Sequence, residues 1–269
     1  MSERAASGLH VDSELRVRAL AGVPGVEPGD DLFEIVASSL VRNELELADG
    51  DVLVVASKVV SRAEGCFVDL SSITPTDAAL NLAEEVEKDP RLVELILRES
   101  TAISRKTIGA LIVRHRLGFV SANAAIDSSN AAPADAADGS GPWVLTLPRD
   151  PDATAHGLCT KLGERFSARI AVIITDSWGR PFRRGTVGFA LGVAGMPPVW
   201  DERGVADRHG RVLEATDTAV ADAIAAAADL VAGQAAQGRP ITWVRGVHFQ
   251  PTVSSAEALL RDPDDDLYA

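Results

Sequence analysis

The sequence has few cysteines and few positive charges, and each shortage argues against a class of protein. Only two of its 269 residues are cysteines, Cys66 and Cys159, and they form no CxxC pair, so neither a disulfide framework nor a cysteine-ligated zinc site is expected. Lys and Arg total 26 against 39 Asp and Glu, a formal net charge of −13. This charge repels a phosphate backbone, which argues against nucleic acid as a partner, and an anionic substrate needs local cations or metal ions.

Long apolar runs and several common motifs are missing as well. No run of eighteen uncharged apolar residues occurs, and residues 1–10 are polar, so we expect a cytoplasmic protein with no membrane partner. Neither GxxxxGK[ST] nor GxGxxG is present, which argues against a P-loop or a dinucleotide fold. The five histidines show no HExxH or other metal-ligand spacing, and no GxSxG elbow is found.

The sequence does contain patterns typical of both helices and strands. With 46% hydrophobic and 24% charged residues, the chain can build a large core. Short β-branched runs predict strands at 15–20, 51–57, 110–113, 143–147, 169–175 and 241–244. Helical spacing predicts helices at 32–45, 77–99, 153–167 and 216–237. We expect an α+β fold with helices packed on a mixed sheet, and a polar surface loop, either a linker or a lid, at 128–141.

The strongest local signal is AVIITDSWGRPFRRG, residues 171–185. An apolar strand ends in Asp176 and Ser177, and the end of such a strand is where open α/β sheets bind ligands. Three guanidinium groups follow in a loop and suit phosphate oxygens. The alternative is an aspartate that caps a turn and arginines that pair with surface acids. The arginines are Arg180, Arg183 and Arg184.

A second acidic position lies in GFVSANAAIDSSN, residues 118–130. Asp127 follows small residues that allow close approach of the backbone, and Asn130 adds an amide. Asp127 and Asp176 form a natural pair of hard oxygen ligands for Mg²⁺ or Mn²⁺ with a nucleotide, although each could also be a turn residue.

Two further segments carry candidates for a nucleotide site. In GVPGVEPGDDL, residues 22–32, Asp30 or Asp31 suits the N-cap of the next helix, and the backbone of 23–26 could line a pocket. In SKVVSR, Ser57, Lys58 and Arg62 could reach a nucleotide or could simply be solvated.

Taken in order, these motifs and AADLVAGQAAQGRP, residues 227–240, resemble one family, the coenzyme F-420 gamma-glutamyl ligases. The resemblance spans 15–247 and is close to the ligase domain of the actinobacterial members. It rests on SKVVS, SANAAID-x-SN and TDSWGRP-x-R in this order. It implies a ligase domain at 1–250 with an acidic tail at 251–269, and an intertwined homodimer.

The resemblance also implies a reaction. Members of that family use GTP and Mg²⁺ or Mn²⁺ at two sites, with K⁺ as a further cation, to add L-glutamate to coenzyme F-420-0 through an acyl phosphate. Two alternatives remain open at this point: a metal-dependent kinase or NTPase with another acceptor, and a non-catalytic nucleotide-binding or dimerisation module.

Site roles follow from the resemblance, residue by residue. Metal positions fall on Asp127, Asp176, Ser177 and Gln234, and catalytic positions on Asp127, Asp176, Arg180 and Arg183. Nucleotide contacts fall on Val23, Pro24, Gly25, Val26, Ser57, Arg62, Asn130, Ala232, Gly233, Gln234, Ala235, Ala236, Gln237, Gly238 and Arg239.

Overall fold

The secondary structure was obtained from a computed structural model that describes residues 9–129, 131–134, 136 and 141–262. The strands in these residues are β1 (His10–Ala19), β2 (Val52–Ala56), β3 (Phe67–Asp69), β4 (Ser100–Thr107), β5 (Ala110–His115), β6 (Val120–Ala122), β7 (Trp143–Leu145), β8 (Ala171–Gly179), β9 (Thr186–Ala194), β10 (Trp200–Asp201), β11 (Asp217–Thr218) and β12 (Ile241–His248). The helices are α1 (Leu32–Arg42), α2 (Ser57–Ala63), α3 (Asp77–Val86), α4 (Pro90–Arg98), α5 (Pro151–Phe166) and α6 (Val220–Ala232).

A five-stranded mixed sheet forms the centre of the fold, with the strand order β1-β12-β2-β8-β9. Strands β2 and β8 run parallel, and every other neighbouring pair is antiparallel. The predicted α+β class with a mixed sheet and packed helices is therefore confirmed.

Helices cover both faces of this sheet, because its central strands are apolar on both sides. Leu53 and Val55 of β2 pack with α1 and α5, whereas Val52 and Val54 pack with α6. Successive side chains of a strand point to opposite faces, so an unbroken apolar run such as β2 requires cover on each. The result is a three-layer arrangement.

A smaller lobe packs beside the main sheet. Its three-stranded sheet has the order β4-β5-β6, and helices α3 and α4 bury Leu82, Val86 and Ile96 against Leu111 and Val113 of β5. Strands β3 and β7 pair with each other between the lobe and the main sheet, and β10 pairs with β11. The loop that carries Asp127 leaves this lobe directly.

Two predicted helices differ from those observed. The helix predicted at 77–99 is two helices: Glu87 takes a left-handed backbone with φ of 51°, and α4 begins at Pro90 with Asp89 as its N-cap. Proline has no N–H and clashes with the preceding turn, so it can begin a helix but not continue one. The helix predicted at 216–237 is shorter than expected, because α6 begins at Val220 and ends at Ala232.

The prediction of an N-cap at Asp30 or Asp31 is confirmed at Asp31, which accepts from Phe33 N.

The strand predicted at 169–175 is longer than expected, because it pairs with a strand that sequence reasoning missed. β8 continues to Gly179 along β9. The glycines of β9 weaken its strand pattern, but they are needed for packing. A Cβ at Gly188 would lie 2.4 Å from the Ala225 carbonyl oxygen of α6. The pattern also missed β4, whose side chains are mostly exposed, and the short helix α2.

Three expectations concern the ends and loops of the chain. No helix among the described residues has the length and apolar character needed to cross a membrane. Part of the loop predicted at 128–141 lies outside the described residues, but Ala131 is buried. Residues 255 and 256 hydrogen-bond to Asp152 at the start of α5, so this stretch lies against the main body. The boundary at residue 250 stays a prediction.

An ion pair between a buried carboxylate and a partly exposed arginine joins the beginning of β2 to β12. The Asp51 carboxylate is fully buried and receives Nε and Nη2 of Arg245 at 2.7 and 2.8 Å. We expect Arg245→Met to lower the free energy of unfolding by about 3 kcal/mol, because it leaves a buried carboxylate without its cation. Urea unfolding measures this loss. Arg16→Met, which removes an exposed pair with Glu14, should cost less than about 1 kcal/mol, and equal losses in the two variants would contradict the prediction.

The two free cysteines offer a second check on the packing. Burial raises the pKa of Cys66 to about 11, with a smaller contribution from the negative charge of Glu64. At pH 8 about one thiol in a thousand is then ionised, so alkylation in the native protein should be at least about 100-fold slower than in urea. Mass spectrometry of a Cys159→Ser variant treated with iodoacetamide tests this, and equal rates in both conditions would exclude a buried Cys66.

Candidate active site

A cavity of about 700 Å³ opens at the carboxyl ends of β2 and β8. The last parallel pair is Ala56 with Thr175, so the next residues, Ser57 and Asp176, lie side by side where β2 ends in α2 and β8 continues along β9 alone. Ligands of α/β proteins bind at this edge of a sheet, and the volume lies within the range of small-molecule sites.

Asp176 is held in one orientation at the floor of the cavity. Ser57 Oγ donates to its Oδ2 at 2.5 Å, and the backbone N–H of Ser177 donates to its Oδ1 at 2.6 Å. Burial raises the pKa of Asp176, these two donors offset part of that effect, and the charge of Asp127 raises the pKa further. A cation bound here would offset both the burial of the Asp176 charge and its repulsion by Asp127.

Asp127 approaches from the lobe. Its backbone N–H and carbonyl pair with Leu145 of β7 at 2.9 and 2.7 Å. Residues 123–125 just before it all have left-handed backbones, with φ between 52° and 53°. This conformation costs about 1 kcal/mol or more for each residue that is not glycine, and such strain occurs mainly at functional sites. It is supported by the Asn123 amide oxygen, which accepts from Leu111 N, and by burial of Ala124.

The Asp127 side chain contacts a lysine and a serine. Lys58 Nζ lies 2.7 Å from Oδ2, and Ser129 donates to Oδ1 from both N and Oγ at 2.7 Å. Burial alone would raise the pKa of Asp127, but Lys58 and Ser129 outweigh it and hold the pKa below its usual value. The cavity therefore contains two different carboxylates. The negative charge of Asp127 is stabilised by its neighbours, whereas that of Asp176 is disfavoured by burial.

Arg62 of α2 stabilises one wall of the cavity. Its Nε donates to the Val26 carbonyl and its Nη2 to Glu27 Oε1, both at 2.6 Å. Glu27 in turn accepts from the backbone N–H of Ala134 at 3.1 Å, which links the wall to residues 131–134. These two partners lower the pKa of Glu27. The guanidinium thus fixes the backbone of the wall at the cavity edge.

The opposite wall is formed by the end of α6 and the loop that follows. The Gln234 amide donates to Asp229 Oδ1, and Ala235 N donates to Gln237 Oε1 at 2.8 Å. The loop ends at Pro240, whose carbonyl accepts from Ala56 N at 2.8 Å. This wall therefore meets the end of β2.

Most residues singled out in the sequence line this cavity, although their roles stay predictions. Those that line it are Pro24, Gly25, Val26, Ser57, Arg62, Asp127, Asp176, Ser177, Ala232, Gly233, Gln234, Ala235, Gly238 and Arg239. Val23, Ala236 and Gln237 are not among the lining residues; Val23 packs on the core beside α1. Asn130 lies outside the described residues.

The arginines that follow Asp176 do not reach the cavity in this structure. Arg180, Arg183 and Arg184 lie at the turn between β8 and β9, beside a Phe182 side chain that is 94% exposed. Arg180 is four residues along an extended strand from Asp176, roughly 13 Å away. Any role of these arginines concerns a ligand that extends well beyond the cavity.

Sequence reasoning missed several polar residues of the cavity, among them Ser129 and Asp229. The position of Asp229 in the sequence could have marked it as a functional residue. It lies in the last turn of α6, which contains no basic residue, and a carboxylate there is disfavoured by the partial negative charge of the helix end. Ser129 carried no such signal, because a serine that follows an aspartate is common in turns.

The donor set of the cavity fits a hard divalent cation. Two carboxylates, Asp127 and Asp176, line it together with Ser177 and Gln234, and all four side chains carry oxygen ligands. Mg²⁺ and Mn²⁺ prefer such ligands together with phosphate oxygens and water. The ammonium of Lys58, in contact with Asp127, shows that this position already attracts positive charge.

Comparison with known proteins identifies the family. Residues 22–246 match the model of a family described as F420-0:Gamma-glutamyl ligase. A coenzyme F420:L-glutamate ligase from Methanothermobacter thermautotrophicus is 47% identical over 225 residues, which cover 84% of this chain and 86% of that protein. One of the same name from Methanopyrus kandleri is 42% identical over 260 residues, 94% of this chain and 97% of that protein. This chain therefore belongs to the F420-0:gamma-glutamyl ligase family.

Proposed function

We propose that this protein joins L-glutamate to coenzyme F420-0, with GTP as the source of the activating phosphoryl group. One observation carries the proposal. Asp127 and Asp176, separated by 49 positions in the sequence, meet in one cavity together with Lys58, in a chain whose relatives are named coenzyme F420:L-glutamate ligases. Paired carboxylates with a cation suit phosphoryl transfer, in which positioning and charge stabilisation supply most of the catalysis.

The nucleotide would bind between the two walls. Both present backbone and small side chains, at 24–26 and at 232–238, so a phosphate or a planar base can approach closely. Lys58 and Arg239 supply positive charge at the lining, which a chain of net charge −13 must provide locally for a triphosphate. Arg62 contributes by keeping the Val26 backbone in place.

Mg²⁺ or Mn²⁺ would be held by Asp127 and Asp176, with Ser177 and Gln234 as further oxygen ligands. When bound, the cation would neutralise charge that develops on the phosphate oxygens. Ser57 and the Ser177 N–H orient the Asp176 carboxylate, and Ser129 orients that of Asp127. We include K⁺ in the proposal only as a further cation of the same cavity.

The reaction would proceed in two steps. An oxygen of the coenzyme carboxylate attacks the terminal phosphorus of GTP, a new P–O bond forms, and GDP leaves as the old P–O bond breaks. The amine of glutamate then attacks the acyl carbon, a C–N bond forms, and the acyl C–O bond to phosphate breaks, so that phosphate leaves and takes up the amine proton. Lys58 would stabilise negative charge on the transferred group, and the cavity walls would exclude water from the acyl phosphate.

The arginine turn between β8 and β9 fits the outer part of the coenzyme. Its position roughly 13 Å from Asp176 suits the anionic tail of a long acceptor better than the nucleotide phosphates. We therefore assign Arg180 and Arg183 to acceptor binding. The homodimer implied by the resemblance is part of the same proposal, and light scattering of the purified protein tests it.

The paired carboxylates provide the first test. Asp127→Asn and Asp176→Asn should each lower the rate of glutamate addition by about 10³-fold or more, because each removes a negative ligand from the cation site. Mass spectrometry of the coenzyme after incubation with F420-0, glutamate, GTP and Mn²⁺ counts the glutamates added.

Asp77→Asn is the matched control, since Asp77 is an exposed acid at the start of α3. Wild-type activity in either cavity variant would overturn the metal assignment. GTP consumption by the wild type without a mass change in the coenzyme would instead favour a kinase or NTPase with another acceptor. Tight GTP binding with no turnover would favour a binding module.

Lys58 provides the second test. We expect Lys58→Met to lower kcat/KM for GTP by about 100-fold, because two neighbouring carboxylates lose their positive partner and the phosphates lose a cation. Steady-state kinetics at saturating glutamate measure the effect. Lys106→Met removes a lysine that pairs with Glu85 on the surface of the lobe and should stay within about twofold of wild type. An equally small effect at Lys58 would remove it from the proposed mechanism.

A further inference from the structure

A group of three metal-ligating side chains lies at the far end of the main sheet from the cavity. His10 of β1 pairs directly across from His248 of β12, and Asp12 lies two residues after His10 on the same strand. Side chains two apart on a strand share a face, and directly paired residues are neighbours on that face. The antiparallel register therefore places two imidazoles and a carboxylate together.

The donor atoms of these residues are close and partly unsatisfied. One ligand atom from each of the three lies within 4.8 Å of the other two. His248 Nε2 lies 3.0 Å from Asp12 Oδ1, and the two imidazole rings stack with centroids 4.2 Å apart. Within the described part of the chain, His10 Nδ1 is shielded from solvent and has no hydrogen-bond partner. A buried polar atom without a partner is costly, and a bound ion would satisfy it.

The backbone around the three residues is shaped by a bulge. The register shifts between Val11 and Arg16, so four residues of β1 lie opposite Gly246 of β12. Gly246 has φ of 110°, and a Cβ there would lie 2.7 Å from the Glu14 carbonyl oxygen. Bulges redirect the side chains next to them, and this one begins at Asp12. The close approach of the two strands therefore depends on glycine at this position.

We propose that His10, Asp12 and His248 form a binding site for a divalent transition metal such as Zn²⁺. Two imidazoles and a carboxylate are ligands of zinc, nickel and iron rather than of magnesium, which distinguishes this site from the oxygen-only cavity. Donors about 2.1 Å from a tetrahedral ion lie about 3.4 Å apart, so the three side chains must close by on the order of 1 Å.

The role of this site is to fasten the edge of the sheet. β1 is an edge strand, and the metal would join its first residues to the last residues of β12. His248 and Asp12 are about half exposed, so water can complete the coordination. Thr242, which lines the cavity, is six residues from His248 on the same strand, or roughly 20 Å. The site is thus separate from the proposed reaction and does not depend on it.

Zinc titration of the 269-residue chain without an affinity tag tests the proposal. The parent carries Asp127→Asn and Asp176→Asn, which removes the cavity carboxylates, and is treated with EDTA before isothermal titration with Zn²⁺. We expect one zinc per chain in this parent. His248→Ala and Asp12→Asn should weaken zinc by at least about 10- to 100-fold, which is the loss seen when only a partner of a metal ligand is removed.

His209→Ala is the matched control, because His209 is an exposed histidine in the 202–215 loop and should leave zinc binding unchanged. Electron paramagnetic resonance of bound Cu²⁺ counts the coordinating nitrogens independently of stability: two in the parent and one in His248→Ala. Circular dichroism confirms that each variant is folded. Equal zinc affinity in the parent, His248→Ala and Asp12→Asn would overturn the proposal, as would loss of zinc in His209→Ala alone.

Discussion

The parallel pairing of β2 with β8 is the constraint on which the candidate active site depends. Five residues of each strand run side by side, from Val52 with Ala171 to Ala56 with Thr175. Because parallel strands end at the same edge, the next residue of one strand lies beside the next residue of the other. Ser57 and Asp176, 119 positions apart, are joined by a 2.5 Å hydrogen bond for this reason. The helices on both faces of the sheet cover the apolar side chains of β2 and β8.

Charge distribution explains how an acidic chain could hold an anionic ligand. The net charge of −13 is an average over the whole surface, whereas the cavity brings Lys58 against Asp127 and keeps Arg62 and Arg239 at its edge. The Arg62 guanidinium binds Val26 and Glu27, so a cation that the sequence suggests for phosphate stabilises the wall instead. Local arrangement, rather than net charge, therefore determines what the cavity can bind.

Much of the site could be predicted from sequence because its residues lie next to strong local signals. Asp176 follows an apolar strand, the 23–26 segment precedes a helix capped by Asp31, and Gln234 follows a long alanine-rich helix. What could not be predicted involves contacts between distant segments. The β9 strand contains glycines where helices α5 and α6 approach, so its pattern is too weak to recognise. The prediction of a single helix at 77–99 was wrong for a local reason. Pro90 begins a second helix, and this proline is visible in the sequence.

The contact between His10 and His248 likewise could not be predicted from the sequence. Along the chain, His10 and His248 have no metal-ligand spacing, yet they become direct neighbours when β1 pairs with β12. The sequence by itself determined the α+β class, the family and most residues of the cavity, because strand and helix periodicity and the ordered motifs are local properties. The tertiary structure alone decided that Lys58 meets Asp127, that Arg180 and Arg183 lie outside the cavity and that His10 meets His248. Strand register and packing set those distances, and neither is encoded in the spacing of residues along the chain.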